Sequence, residues 1–261
     1  MKIVKERLKR IYDYRQVLLT MAIKELKVKY VNSIFGICWM VINPILIVLS
    51  ITFVFVVIFQ TKIDNFPFFV LTGIFPWMFF SNSLSEATFS ILSKRPILRQ
   101  YNLPLEIIPM SVILSNFLSF AIGLAIIYLC MLFLNFKIIL LLPILIIVII
   151  LHLFFTLGLG LILSVLNIFY RDVGRILETL LMLWLWVTPV FYSPGMVPQK
   201  FRLILNFNPM TYYVVSYREI IFENKLPAFL TFTVTFAWAL LSIIFGLLVF
   251  SRLEFRVLKR I

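Results

Sequence analysis

Two ionisable side chains, Glu86 and His152, fall inside long apolar runs, and the chemistry they could support is proton or ion handling within a membrane. They stand in different runs and at different depths, and no acid lies beside His152 in sequence. They do not read as one relay. Glu86 closes a polar stretch, Ser81, Asn82, Ser83 and Ser85, and lies a turn or two from the end of its run, next to a short basic loop carrying Lys94, Arg95 and Arg99. Hydroxyls and carboxylates are costly in hydrocarbon, so one face of this helix must look onto protein or water. Two roles stay open for Glu86, pairing with a basic residue of the amino-terminal helix or the loop, or service in a transport path. His152 reads as a hydrogen-bonded contact between helices.

Other chemistry is missing from the sequence. There is no GxxxxGK[ST] phosphate loop, no HExxH, no paired carboxylates and no serine, histidine and acid set in a plausible common site. Cys38 and Cys130 both lie in apolar runs, with neither disulfide nor metal-ligand spacing, and read as packing residues. No metal and no cofactor is expected on this chain, an enzyme is disfavoured, and energy has to arrive from a partner through the loops.

The elements that position these residues follow from composition. With 62% hydrophobic and 13% charged residues the chain lies far from the soluble norm. The fold class expected is all-α, a polytopic membrane protein with six transmembrane helices. Runs near 34–59, 66–91, 107–134, 139–166, 175–193 and 228–250 are each long enough, since about 20 residues cross the hydrocarbon. Lys and Arg number 24 against 11 acids, and eighteen of them fall in the segments that alternate crossing places on the same side of the membrane as the amino terminus. The excess therefore fits the positive-inside rule and not a nucleic-acid surface, and it places both termini in the cytoplasm. One transmembrane domain, 1–261, is expected. It comprises an amphipathic interface helix over 1–33, six spans over 34–250 and a cytoplasmic tail over 251–261.

In the amino-terminal helix Leu19, Ile23, Leu26 and Tyr30 form an apolar face opposite Gln16, Thr20, Lys24 and Lys27, and Glu25 could pair with Lys29. Asn43-Pro44 implies a kink in the first span, a packing feature or part of a pore. Gly158 and Gly160 imply close helix approach, and the pair Arg171-Asp172 a lock between helix ends. Trp184, Trp186, Phe191 and Tyr192 read either as an interfacial belt or as flat faces for sugar rings. Residues 194–227 are broken by prolines yet apolar and aromatic between them, so they are expected to form short re-entrant helices that cover an exit.

GIFPWMFFSNSL at 73–84, NLPLEIIP at 102–109, LNIFYRDV at 166–173, TPVFYSP at 188–194 and NPMTYYVVSYRE at 208–219 together resemble the membrane subunit of type 2 ATP-binding-cassette exporters, among them the permeases for O-antigen, teichoic acid and capsular polysaccharide. Leu103 stands where an aromatic would be expected before Pro104. The resemblance implies a homodimer with two copies of a separate ATPase subunit, ATP and Mg2+ being held by that partner. Lys94, Arg95, Arg99 and Leu103 would form the coupling element. The channel at the dimer interface would be lined partly by Trp39, Asn43, Ser81, Ser85, Trp184 and Thr188. Arg15, Lys24, Lys27 and Lys29 would attract the phosphate of a lipid-linked polysaccharide in the cytoplasmic membrane of a bacterium or archaeon. Two alternatives remain, an exporter of a small amphiphile and a membrane enzyme acting on polyprenyl-linked sugars.

Overall fold

The computed structural model describes residues 2–31, 35–100, 103–134 and 136–258, within which the side chains of Arg99 and Cys130, among a few others, fall outside the description. The described residues are helical, with no strand among them. In order they are α1 (Lys2–Asp13), α2 (Arg15–Tyr30), α3 (Trp39–Thr52), α4 (Phe66–Ser93), α5 (Arg95–Gln100), α6 (Ile107–Leu134), α7 (Leu142–Phe169), α8 (Val173–Val187), α9 (Arg202–Phe207), α10 (Pro209–Ile221) and α11 (Phe229–Leu258).

Five helical stretches are long and apolar enough to cross a membrane, Trp39–Ile58, Phe66–Ser93, Ile107–Leu129, Ile139–Phe169 and Phe229–Glu254. The run expected at 175–193 yields only the 15 residues of α8, about 22 Å at 1.5 Å per residue against ~30 Å of hydrocarbon. It stops because Pro189 disfavours helical geometry at Thr188, whose backbone is extended. The contacts of α8 nevertheless follow α4 for most of its length. Gly174 sits on Phe89, Trp184 meets Phe80 and Trp77, Val190 lies against Gly73, and Phe191 stacks on Phe55, which stacks on Phe66.

The same kind of ladder gives every direction. Phe75 and Phe79 of α4 meet Phe120 of α6 while Glu86 meets Asn116, so α6 is antiparallel to α4. Phe80 stacks on Phe155 and Thr88 accepts from Asn167, so α7 is parallel to it. Tyr213 bridges Leu151 and Thr235, and Ser242 donates to Phe155, so α11 is parallel to α7. Thus α4, α7 and α11 run one way and α3, α6 and α8 the other. Both α1 and the end of α11 come to the same end of the bundle, here called the floor.

The floor is a cluster in which Ile91, Leu105, Ile108, Leu161, Val165, Phe250 and Val257 are buried, with Ile11, Met21 and Leu98 packed on it. Residues of the expected tail continue α11 to Leu258, because Leu253 and Val257 extend its apolar stripe onto this cluster. Gly158 marks the closest approach of one helix backbone to another at a glycine among the described residues. A Cβ there would fall 2.2 Å from the backbone of Ser242, and one on Gly246 2.5 Å from the carbonyl oxygen of Gly158. The lock expected of Arg171-Asp172 belongs to Asn167. Its Nδ2 donates to Thr88 O at 3.0 Å and its Oδ1 accepts from Gly174 N at 3.1 Å, while Arg171 and Asp172 stay exposed. Cys38 is exposed rather than packed.

Candidate functional site

The polar stretch of α4 occupies one strip of that helix. Met78, Ser81, Asn82, Ser85, Glu86 and Phe89 recur three and four residues apart and are the positions its neighbours leave exposed or half-buried, between α2 and α3 on one side and α8 on the other. Of the buried hydroxyls of α4, Thr72, Thr88 and Ser90 bond back into their own helix, to Phe69 O, Leu84 O and Ala87 O, whereas Ser83 Oγ has no partner among the described residues. Those on the strip are free to meet a ligand. Ser81 makes only a long 3.4 Å bond to Met78 O.

Glu86 finds its partner in α2. Lys29 Nζ donates to its two carboxylate oxygens at 2.8 and 2.6 Å and to Asn116 Oδ1 at 2.8 Å, while Asn116 Nδ2 donates to Glu86 Oε2 at 2.8 Å. Glu25, expected beside Lys29, pairs instead with Lys94 Nζ at 2.5 Å. These two bonds explain how α2 is oriented. Its inward face is Leu18, Met21, Ala22, Glu25 and Lys29, about a third of a turn from the apolar face read in sequence, leaving Leu19 and Ile23 half exposed. The amino-terminal segment also breaks at Tyr14 into two helices, α1 folding onto the floor through Arg7. Arg7 Nη1 donates to Glu106 at 3.1 Å and Nη2 bonds Glu254, which Arg10 also reaches at 3.5 Å.

Glu106 is buried, and burial pushes its carboxyl above the ordinary 4.5, with the Arg7 guanidinium pulling the other way. A carboxyl whose folded pKa is raised is disfavoured when both states are ionised. Its penalty shrinks as pH falls through the raised value toward 4.5. Glu106→Gln is therefore expected to relieve that penalty at neutral pH, its advantage over the parent fading as pH is lowered, in thermal unfolding followed in detergent. Arg7 keeps Glu254 in the variant.

Around these ties the expected coupling residues gather at the floor. Lys94 closes α4, Arg95 and Leu103 are half-buried, and Leu98 of α5 packs into the floor cluster. The side chain of Arg99 lies outside the described residues, as do Tyr101 and Asn102. Arg15, Lys24 and Lys27 are exposed, Arg15 resting over the ring of Tyr12, whereas Lys29 is already matched by Glu86. A cleft of about 450 Å3 is lined by Lys29, Glu86, Lys94, Glu25, Ser85 and Glu178. Glu178, exposed on α8, was missed in the sequence although an acid inside the fifth run is itself the signal.

The expected channel residues divide into three places. Trp39 and Asn43 are exposed on α3 beside a cavity of about 100 Å3. Ser81 and Ser85 lie half-buried on the strip. Trp184 and Thr188 belong to a clasp at the other end of the strip. Trp184 Nε1 donates to Asn208 Oδ1 at 2.7 Å, and Asn208 Nδ2 donates to Thr188 Oγ1 at 3.0 Å. Asn208 also caps α10, accepting from Met210 N at 3.0 Å. It holds the turn between α9 and α10 against α8 near the middle of α4. From there α10 returns outward, buried on Tyr213 and Tyr217, which surround His152 with Phe79 and Phe120. His152 Nδ1 lies 3.4 Å from Tyr217 Oη, a contact between helices as its setting in sequence implied.

A family model described as ABC-2 type transporter matches residues 16–222. Among curated proteins the chain is similar to the "O-antigen export system permease protein RfbA" of Myxococcus xanthus, 32% identical over 248 residues that cover 89% of this chain and 93% of that protein. It is also similar to the protein of the same name from Klebsiella pneumoniae, 30% identical over 237 residues covering 89% and 90%.

Proposed function

We propose, from the premise that this chain belongs to the ABC-2 type transporter family, that it is the permease subunit of an ATP-driven exporter of cell-surface polysaccharide, carried as a lipid-linked chain. It is a transport subunit and not an enzyme, and the family membership implies an ATPase partner and a membrane setting. The observation that carries the mechanism is the way the floor is tied. Leu98 of α5, both amino-terminal helices and the ends of α4, α6, α7 and α11 share one cluster, and Lys94 joins α2 to α4. A push on α5 would reach every helix end there together.

In this reading α8 and its extended continuation complete a sixth crossing, and both termini face the cytoplasm with the floor. Two copies of the chain place the open strips of α4 across from each other. Two ATPase subunits, holding ATP and Mg2+, dock on α5. The turn at Asn208 is the inner tip of a re-entrant pair that covers the exit. Exposed Arg15, Lys24 and Lys27 draw the lipid phosphate to the floor, and the strip offers many weak polar contacts, as suits a long polymer that must keep moving.

Deleting the gene for the ATPase partner is expected to abolish surface polymer and leave lipid-linked glycan in the cytoplasm. Unchanged polymer, or altered drug sensitivity alone, would overturn the reading. Reversing one charge of the α2 tie, Lys29→Glu or Glu86→Lys, is expected to cut export several-fold, and the double reversal to restore a large part of it. The partly exposed pair itself contributes no more than about 1 kcal/mol. The effect is expected through the orientation of α2, measured as surface polymer per unit of membrane-inserted permease.

A further inference from the structure

The cleft between α2, α4 and α8 does not carry the charge that an anionic cargo calls for. Its lining holds two ammonium groups, Lys29 and Lys94, against three carboxylates, Glu25, Glu86 and Glu178. Both cations are already matched. Lys29 Nζ directs its three donors at the two oxygens of Glu86 and at Asn116 Oδ1, at 2.8, 2.6 and 2.8 Å, and Lys94 Nζ lies 2.5 Å from Glu25. Glu178 is the carboxylate left over.

That residue is exposed on α8 and makes no ion pair or hydrogen bond with any described residue. Its level along the bundle follows from the contacts on either side of it, since Gly174 sits on Phe89 and Trp184 meets Phe80. Glu178 therefore stands level with Ser85 and Glu86, beside the open strip of α4. Arg175, one turn nearer the floor on the same helix, is exposed, forms no ion pair with Glu178 and lies outside the lining of the cleft.

We infer that Glu178 sorts the cargo by charge, so that the permease conducts glycans with uncharged, hydroxyl-rich repeats in preference to repeats that bear a carboxylate or phosphate. The inference rests on the strip being the path of a polysaccharide. An ionised carboxylate only accepts hydrogen bonds. Sugar hydroxyls donate to it, whereas an anionic substituent brings no donor and meets a like charge that neither lysine is free to offset. Clefts with low-dielectric walls concentrate such a field. The phosphate of the carrier is a different case, because it meets the exposed Arg15, Lys24 and Lys27 outside this cleft and does so once per chain. A charge on every repeat meets Glu178 at every step. Repelling the wrong cargo needs no tight grip on the right one, as suits a polymer that must keep moving.

The test uses cells that hold the full-length permease with its ATPase subunit and assemble two glycans on the same polyprenyl carrier, one with neutral repeats and one with a uronate in each repeat. The ratio of the two polymers at the surface, each taken relative to the amount made, cancels differences in expression and membrane insertion. Wild type is expected to favour the neutral polymer by about fivefold, which is what one like charge about 4 Å away does even in water-like surroundings. Glu178→Gln should bring the ratio near unity and Glu178→Lys should invert it, while Arg175→Gln should leave it near the parent value. A wild type indifferent to the uronate, or a ratio unmoved in both Glu178 variants, overturns the proposal. So does a shift of equal size from Arg175→Gln, which would mean that the general field of the floor sorts the cargo. A wild type that exports neither polymer, although both are made on the carrier, overturns instead the reading as a polysaccharide exporter.

Discussion

Gly158→Ala is expected to part α7 from α11 and to lower the thermal stability of the detergent-solubilised protein by about 3 kcal/mol, the upper end of what overpacking a core usually costs. The added methyl would sit 2.2 Å from both the carbonyl carbon and oxygen of Ser242, so no side chain can turn aside to admit it; backbone has to move. That movement would also break the 2.7 Å bond from Ser242 Oγ to Phe155 O, one of the few polar contacts along the most extensive helix pair in the molecule. Gly195→Ala is the matched control, with only Ser193 Oγ near its added carbon, at 3.9 Å. Scanning fluorimetry of the two variants checks this. A Gly158→Ala protein melting with the parent would show that α7 and α11 do not pack as closely as described.

How much of this was readable in the sequence differs from residue to residue, and the differences have physical causes. Gly158 could be read, because a small residue in an apolar run has few uses other than close approach. Its counterpart Gly246 gave the same signal and was passed over. The pairing of Glu86 with the amino-terminal helix was also within reach, since a shallow acid needs a cation and the nearest were basic residues of that helix or the loop. Which lysine it was, and that Glu25 belongs to Lys94, could not be read, because it depends on how far α2 is rotated. Helical periodicity alone chose the face of Leu19 and Ile23; two ion pairs chose one about a third of a turn away. At the other end of the bundle sequence reasoning treated Thr188 as channel lining because it stands among aromatics. The structure buries it under Asn208, whose role depends on α9 and α10 folding back to the middle of α4. Long-range returns of that kind leave no local pattern. Arg218 lies within the motif NPMTYYVVSYRE, but no local pattern shows that its charge is buried.

Replacing Arg218 by leucine is expected to abolish export while leaving the ATPase partner bound. This guanidinium is 3% exposed, and Nη2 donates to Pro189 O at 2.9 Å and Val190 O at 3.0 Å, with Nη1 3.4 Å from Tyr192 O. It also lies 3.7 Å above the centre of the Phe69 ring. The carbonyls it reaches belong to the non-helical segment that follows α8, where no helical ladder serves them, so one cation on α10 holds that segment and clamps it to α4. Bonds to a charged group contribute about 1.5 to 3 kcal/mol each and a buried carbonyl left bare costs about 1 to 3 kcal/mol, so the leucine variant should lose about 3 kcal/mol or more locally. Lysine should recover little, because an ammonium cannot serve several carbonyls along one edge in a plane that also stacks on Phe69. The floor, at the opposite end of α4, keeps its own cluster and ion pairs in both variants, so affinity purification should still recover the ATPase subunit. That split separates the two ends of the molecule. Substitution of Lys94 or Glu25 should disturb the response to the partner, whereas Arg218 should disturb only what happens at the exit. Loss of partner binding in the Arg218→Leu protein would mean that the unwound segment of α8 holds the whole bundle together and not the exit alone.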